Sequence, residues 1–304
     1  MTGERDPVEG CRPAYIPRDA LGDVEGERAP DGVEVIDAHV HLFPDGVFEA
    51  IWRWFDAHAW PVRYRLHAEE VIAFLDARGV KRFVALHYAH KPGIAAGLNR
   101  FVSELSRAHP GIIPLATVMP GEPDAEEVLR EAFGPLGLRG VKLHCHVQRM
   151  PADDPRIEPV WRACEDAGLP AVIHAGREPS SPAYGVDTRA LCAASQVERV
   201  LQRHPRLTLV VPHLGADEWD DYAALLDRYE NLWLDTTMAL GGFFPEGPPS
   251  PLWPGRASRL LYGTDFPNIP YAWDRELKVV LSTLDDPALR RAVLADNARR
   301  VFGA

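Results

Sequence analysis

Cysteine is scarce and unpatterned in this 304-residue chain: Cys11, Cys145, Cys164 and Cys192 fall in no CxxC or other paired spacing. That excludes a disulfide framework and a cysteine-based zinc motif, and it predicts free thiols in a reducing compartment. Basic charge is also short, with 33 Lys and Arg against 44 Asp and Glu and a formal net charge of -11. Nucleic acid and anionic membrane surfaces need basic patches that exchange for counterions, so neither is an expected partner. No apolar run approaches the length of a membrane span. Met1 to Pro7 has neither the basic nor the apolar region of a secretory signal, so a cytoplasmic location is expected. A chain this acidic can still bind an acidic small molecule, provided that it places a cation locally in the pocket.

What remains is a chain of ordinary globular composition, 46% hydrophobic and 25% charged, about as long as one α/β barrel. Residues 1–32 are rich in Pro, Gly and charge without apolar periodicity, and cannot offset their own ordering entropy. They are expected to be a flexible N-terminal arm, disordered or leaning on a partner subunit, with residues 33–304 as the folded unit. There, short β-branched runs at 34–41, 82–86, 112–118, 140–144, 171–174, 208–213, 232–235 and 260–264 read as strands. Amphipathic helical patterns at 68–78, 94–108, 158–167, 189–203, 217–229 and 286–302 separate most of them. Near-continuous apolar strands alternating with helices predict a parallel sheet buried on both faces. Eight such strands predict an α/β fold of the (β/α)₈ TIM-barrel type. The open doubly wound alternative lacks its glycine-rich phosphate fingerprint after the first strand. Loops at 175–187 and 241–255 follow the fifth and seventh strands, on the face where barrels do their chemistry.

Polar residues gather at those same strand ends: His39 and His41, Lys142 and His144, His174, His213, Asp235 and Asp265. The two-residue period of a strand puts His39 and His41 on one face, and does the same for Lys142, His144 and His146. His-Val-His alone is a weak signal. Packing would fill the whole set with Val, Ile or Leu, and burying so many unpartnered ionisable groups would cost several kcal/mol each. A shared metal ion supplies the missing partner.

The segments "IDAHVHLF", "VKLHCH", "VIHAG", "VPHLG" and "YGTDFP", in that order, resemble the amidohydrolase superfamily. The resemblance is to the branch holding aminocarboxymuconate-semialdehyde decarboxylase, resorcylate-type decarboxylases and hydrolases of lactones and related esters. It runs from Val35 to Phe302, including "DNARRVFG". It implies a metal site with His39, His41, His174 and Asp265 as ligands, and His213 either as acid/base residue or as ligand to a second metal. Three imidazoles and a carboxylate suit Zn²⁺ first, and the same set accommodates Mn²⁺, Fe²⁺ or Co²⁺. His213 and Asp265 are then the groups that move a proton of the metal-bound water. Lys142, carbamylated in hydrolytic relatives, would join His213 in a second-metal set. The branch generally uses one metal, so one per chain is expected.

Around this set, Arg177 on the loop after the fifth strand is expected to clamp a substrate carboxylate with its bidentate fork. His144, His146 and His87 are expected to line the substrate pocket, with Tyr88 and His90 beside them. Asp37 is read as orienting or packing, and Cys145 as facing away from the pocket. Trp52, Trp54, Phe55 and Trp60 read as a packed satellite core or an oligomer contact, and a homodimer is the assembly considered. The expected reaction is hydrolysis of an ester, lactone or amide bond of a small carboxylate-bearing molecule by metal-activated water. Lys142 favours hydrolysis over the alternative, metal-dependent non-oxidative decarboxylation. The alternative of another class is a catalytically inactive binding protein on the same barrel.

Overall fold

The structure, a computed structural model, describes residues 24–244 and 251–303. The strands are β1 Ile36–His41, β2 Arg82–Leu86, β3 Ile112–Pro114, β4 Val141–His144, β5 Ala171–His174, β6 Leu209–Val211, β7 Leu232–Asp235 and β8 Leu260–Leu261. All pairings are parallel, in the orders β1-β2-β3 and β4-β5-β6-β7-β8. Two seams join these sheets. Ala116 bridges to Val141, with Lys142 N–H donating to Ala116 O at 2.7 Å, and Val40 bridges to Phe266, with His41 N–H donating to Phe266 O at 2.8 Å. The sheet therefore closes on itself as an eight-stranded barrel, the predicted fold. Strands three, six and eight are shorter than their sequence runs, the chain leaving the ladder after Pro114, Val211 and Leu261.

The helices in chain order are α1 Asp45–His58, α2 Ala68–Ala77, α3 Ala95–Ala108, α4 Ala125–Phe133, α5 Cys145–Gln148, α6 Glu158–Ala167, α7 Thr188–Leu191, α8 Ala194–Arg203, α9 Trp219–Arg228, α10 Arg275–Thr283, α11 Pro287–Arg291 and α12 Asn297–Phe302. The predicted 286–302 helix is continuous through a π turn at Ala292–Asp296. The predicted 189–203 helix breaks at Cys192 and Ala193, which take extended conformations. Helices α1, α4, α5 and α10 lie outside the predicted set. Of these, α1 matters most, because its aromatic residues reach over the barrel mouth.

Two apolar layers result. Ile36, Ala38, Val84, Leu86, Val172, Val210, Trp233 and Leu261 fill the barrel, closed at one end by Ala298, Val301 and Phe302. The larger layer lies between strands and helices and includes the fully buried Trp161. Of the segment expected to be a flexible arm, residues 1–23 lie outside the described residues. Residues 24–32 are held on the barrel: Gly26 N–H donates to Asp274 Oδ2 (3.0 Å), Trp273 Nε1–H to Gly26 O (3.0 Å), and Tyr64 O–H to Glu25 (2.5 Å).

The loop after β6 carries the sharpest backbone constraint. His213, Leu214, Gly215, Ala216 and Asp217 all have positive φ, at 59°, 54°, 82°, 27° and 72°. Left-handed non-glycine residues cost on the order of 1–3 kcal/mol each, so the packing around this loop over-determines it. At Gly215 an added Cβ would lie 2.0 Å from the ring of fully buried Tyr222. Gly215→Ala should therefore destabilise the protein by roughly 2–4 kcal/mol in urea unfolding. A change within about 0.5 kcal/mol, typical of a surface substitution, would contradict this packing.

Candidate metal centre and its cavity

Strict alternation does not by itself bring His39 and His41 inward, because Ile36 and Ala38 already occupy the barrel core. The pairing of β1 with β2 shifts between Asp37 and Val40, three residues of β1 matching two of β2. Such a bulge re-aims the residues that follow, and both histidines line the cavity at the C-terminal end of the barrel. Asp37 braces the bulge. Its carboxylate accepts the N–H groups of His39 (3.0 Å) and Thr264 (3.2 Å) and the Thr264 hydroxyl (2.6 Å). The same contacts fix the start of the loop that carries Asp265, itself at φ 66°.

The proton positions on the two rings follow from their outer partners. His39 Nδ1 lies 2.7 Å from Asp235 Oδ2, and His41 Nδ1 lies 3.3 Å from Leu86 O. Both partners only accept, so each Nδ1 carries the proton and each neutral ring has a bare Nε2. Those nitrogens stand 3.3 Å (His39) and 2.8 Å (His41) from Asp265 Oδ1. Three acceptors thus converge, all ligand atoms lying within 4.8 Å of one another. A donor set of this kind could hold a divalent metal. Burial, with Lys142 adding to it, pushes His39 down to about 4, so it is neutral at pH 7.

A second chain of contacts runs beside the first. Asp235 Oδ1 accepts the Thr237 hydroxyl (2.5 Å) and the His213 N–H (2.9 Å). The His213 ring meets Thr237 Oγ1 through Nδ1 (2.9 Å) and His174 Nδ1 through Nε2 (3.0 Å). His174 therefore stands one ring away from the His39–His41–Asp265 group, in contact with His213, and its buried Nε2 has no partner. His144, His146 and His174 also bring ligand atoms within 4.8 Å. However, His144 and His174 stack with centroids 4.1 Å apart and planes 9° from parallel. An ion in the plane of one ring lies about 4 Å out of the plane of the other, whereas imidazole binds in its own plane at about 2 Å. These three rings form a wall and not a joint ligand set.

The cavity above them measures about 290 Å³. His39, His41, Lys142, His144, His146, His174, His213 and Asp265 all border it. His146 arrives from α5, since the strand ends at His144. Burial lowers the Lys142 ammonium to about 8, with Asp235 and Asp265 acting in the opposite sense. Two expected pocket residues lie elsewhere. Arg177 is absent from the wall because its guanidinium is committed to Glu218 (2.9 Å) and to Cys192 O (3.1 Å). His87 is buried behind the wall against Asn99 (3.0 Å). In exchange, Trp54, Phe55 and Trp60, read from sequence as satellite packing, border the cavity with Tyr88 and Tyr184. Sequence reasoning named Asp235 at a strand end without its role as partner of His39, and it missed Thr237 and Arg149. Those roles depend on cross-strand register and loop direction.

The family model described as amidohydrolase matches residues 36–304. No curated protein matches the chain. Among solved structures, the chain is similar to an uncharacterised TIM-barrel protein of Bordetella bronchiseptica (TM-score 0.68, 21% identity, 89% of this chain and 99% of that one). It is also similar to 5-carboxyvanillate decarboxylase of Sphingomonas paucimobilis (TM-score 0.61, 18% identity, 90% and 99%). A third likeness is to 5-carboxyvanillate decarboxylase of Novosphingobium aromaticivorans, complexed with manganese and 4-hydroxy-3-methoxy-5-nitrobenzoic acid (TM-score 0.64, 14% identity, 92% and 99%). At these identities the likeness is one of fold.

Removal of the Asp37 carboxylate would leave three buried donors unpaired. Asp37→Ala should cost roughly 3 kcal/mol of stability, and Asp37→Asn, which keeps one acceptor oxygen, clearly less. Equal losses for the two variants in denaturant titration would assign the effect to volume and not to the brace.

Proposed function

The chain belongs to the amidohydrolase family, a family of metal-dependent enzymes, and on that premise we propose that it decarboxylates a small aromatic acid at a single divalent ion. The observation that carries the proposal is the convergence of two bare Nε2 atoms and a carboxylate oxygen on one point beneath an aromatic-walled cavity. His39, His41 and Asp265 would hold the ion. A divalent ion held there would supply Lewis acidity toward a substrate carboxylate. Zn²⁺ and Mn²⁺ both suit the donors.

The side chains do the rest. Trp54, Phe55 and Trp60 present flat apolar faces that hold an aromatic ring and exclude water. As the bond to the carboxyl carbon breaks, its electron pair stays on the ring and carbon dioxide leaves. His213 relays to that ring carbon a proton taken up from water at the cavity mouth. Thr237 and Asp235 keep His213 turned to deliver it. Support comes also from the relatives named above as decarboxylases, one complexed with manganese and a nitrobenzoic acid. Hydrolysis at the same ion is the second reading. It is favoured by Lys142, since burial lowers its ammonium to about 8 and so enlarges the share of neutral amine, the form that takes up carbon dioxide and releases a proton to give a carbamate.

An assay of hydroxybenzoates that follows carbon dioxide and acid release separately discriminates the two. The proposal expects carbon dioxide in step with substrate loss, abolished by a chelator and restored by metal. Acid release from esters or lactones without carbon dioxide would overturn it. His213→Asn should keep its metal and lower kcat by about 10²–10⁴-fold with little change in KM; loss of metal in that variant would make His213 a ligand instead. Asp235→Asn should weaken metal affinity by about 10–100-fold in chelator competition, and unchanged affinity would contradict its role behind His39.

A further inference from the structure

We propose that Arg149 recognises a second anionic group on the substrate, at the end away from the ion. This deepens the reading above and rests on it. Arg149 follows α5, borders the cavity and is exposed to it. Its guanidinium abuts the turn at Gly185, where an added Cβ would lie 3.6 Å from Nη2. The neighbouring Tyr184 ring packs on His146 (5.1 Å between centroids), and His146 on His174 (4.6 Å). Two ring contacts therefore lie between the Arg149 turn and His174.

Charge supports the same assignment. Arginines nearby are neutralised: Arg177 by Glu218, Arg189 by Asp217 and Arg156 by Asp154. Arg149 has no carboxylate partner among the described residues. Among the described residues the only acidic side chain bordering the cavity is Asp265, a candidate ligand of the ion, whereas Lys142 and Arg149 both border it. In a chain of net charge -11, this is the local cation that an acidic ligand requires. A planar guanidinium accepts a carboxylate in two parallel hydrogen bonds.

The backbone adds an independent observation. Arg149 adopts φ 55°, ψ 46°, the left-handed cap that glycine or asparagine fills without strain. An arginine there costs on the order of 1–2 kcal/mol. The seven described non-glycine residues with positive φ all follow β4, β6, β7 or β8, and His213 and Asp265 are among them. Arg149 shares the strained backbone of the site as well as its cavity.

The test compares 2-hydroxybenzoate with 2-hydroxybenzene-1,4-dicarboxylate and 4-hydroxybenzene-1,3-dicarboxylate as ligands of the metal-loaded full chain, by calorimetry. One of the diacids should bind at least about tenfold tighter than the monoacid. Arg149→Met and Arg149→Gly should each abolish that preference without altering metal content, the glycine variant also relieving the left-handed strain. Arg149→Lys should keep part of it. No preference in the unaltered protein, or a preference that survives in both Met and Gly variants, overturns the proposal. The two readings fail separately. Should a chelator leave monoacid binding unchanged while the Arg149 variants lose the diacid preference, Arg149 stands and the ion-centred function falls; chelator-sensitive binding with an undiminished preference in the variants gives the reverse.

Discussion

Both β1 imidazoles commit their Nδ1 protons to groups behind them, His39 to Asp235 and His41 to the Leu86 carbonyl, and so turn bare nitrogens on Asp265. This is the constraint on which the rest of the site depends. Three acceptors facing one another at a buried point would cost several kcal/mol, a cost that a cation bound there would offset. The carboxylate behind His39 also anchors Thr237 and the His213 backbone, so one buried group, Asp235, aligns both the candidate ligand and the candidate proton carrier.

The barrel supplies rigidity where this chemistry needs it. Parallel strands with an apolar interior stop short of the mouth, and the polar residues begin where the apolar ones end. Backbone strain concentrates at the same level. Left-handed φ values at Arg149, His213, Met238 and Asp265 fall after four strands of the sheet. A folded scaffold with a closed sheet and a large helix layer can hold such residues in place; isolated loops would relax.

Much of this was legible in the sequence because it is written in periodicity. The β5 and β7 spans, α6, and the placement of His39, His41, Lys142, His174, His213 and Asp265 at strand ends all follow from apolar runs that stop at polar residues. What was not legible depends on register and loop direction. The bulge between Asp37 and Val40 leaves no mark in composition, yet without it His39 would point away from the cavity. Arg177 and Arg149 look alike in sequence, each a few residues beyond a strand-end histidine. The loop after β5 turns Arg177 onto Glu218, whereas the cap of α5 leaves Arg149 at the cavity. The aromatics of α1 read as packing because a helix that both packs and roofs a cavity has the same pattern as one that only packs.

The central claim is one divalent ion bound by the two β1 histidines and the β8 aspartate. An anomalous-scattering map from crystals grown with Zn²⁺ or Mn²⁺ tests it most directly. The account predicts a single peak about 2.0–2.2 Å from His39 Nε2, His41 Nε2 and an Asp265 oxygen. Two peaks about 3.5–4 Å apart, bridged by density extending Lys142, or no peak among these three side chains, would contradict it.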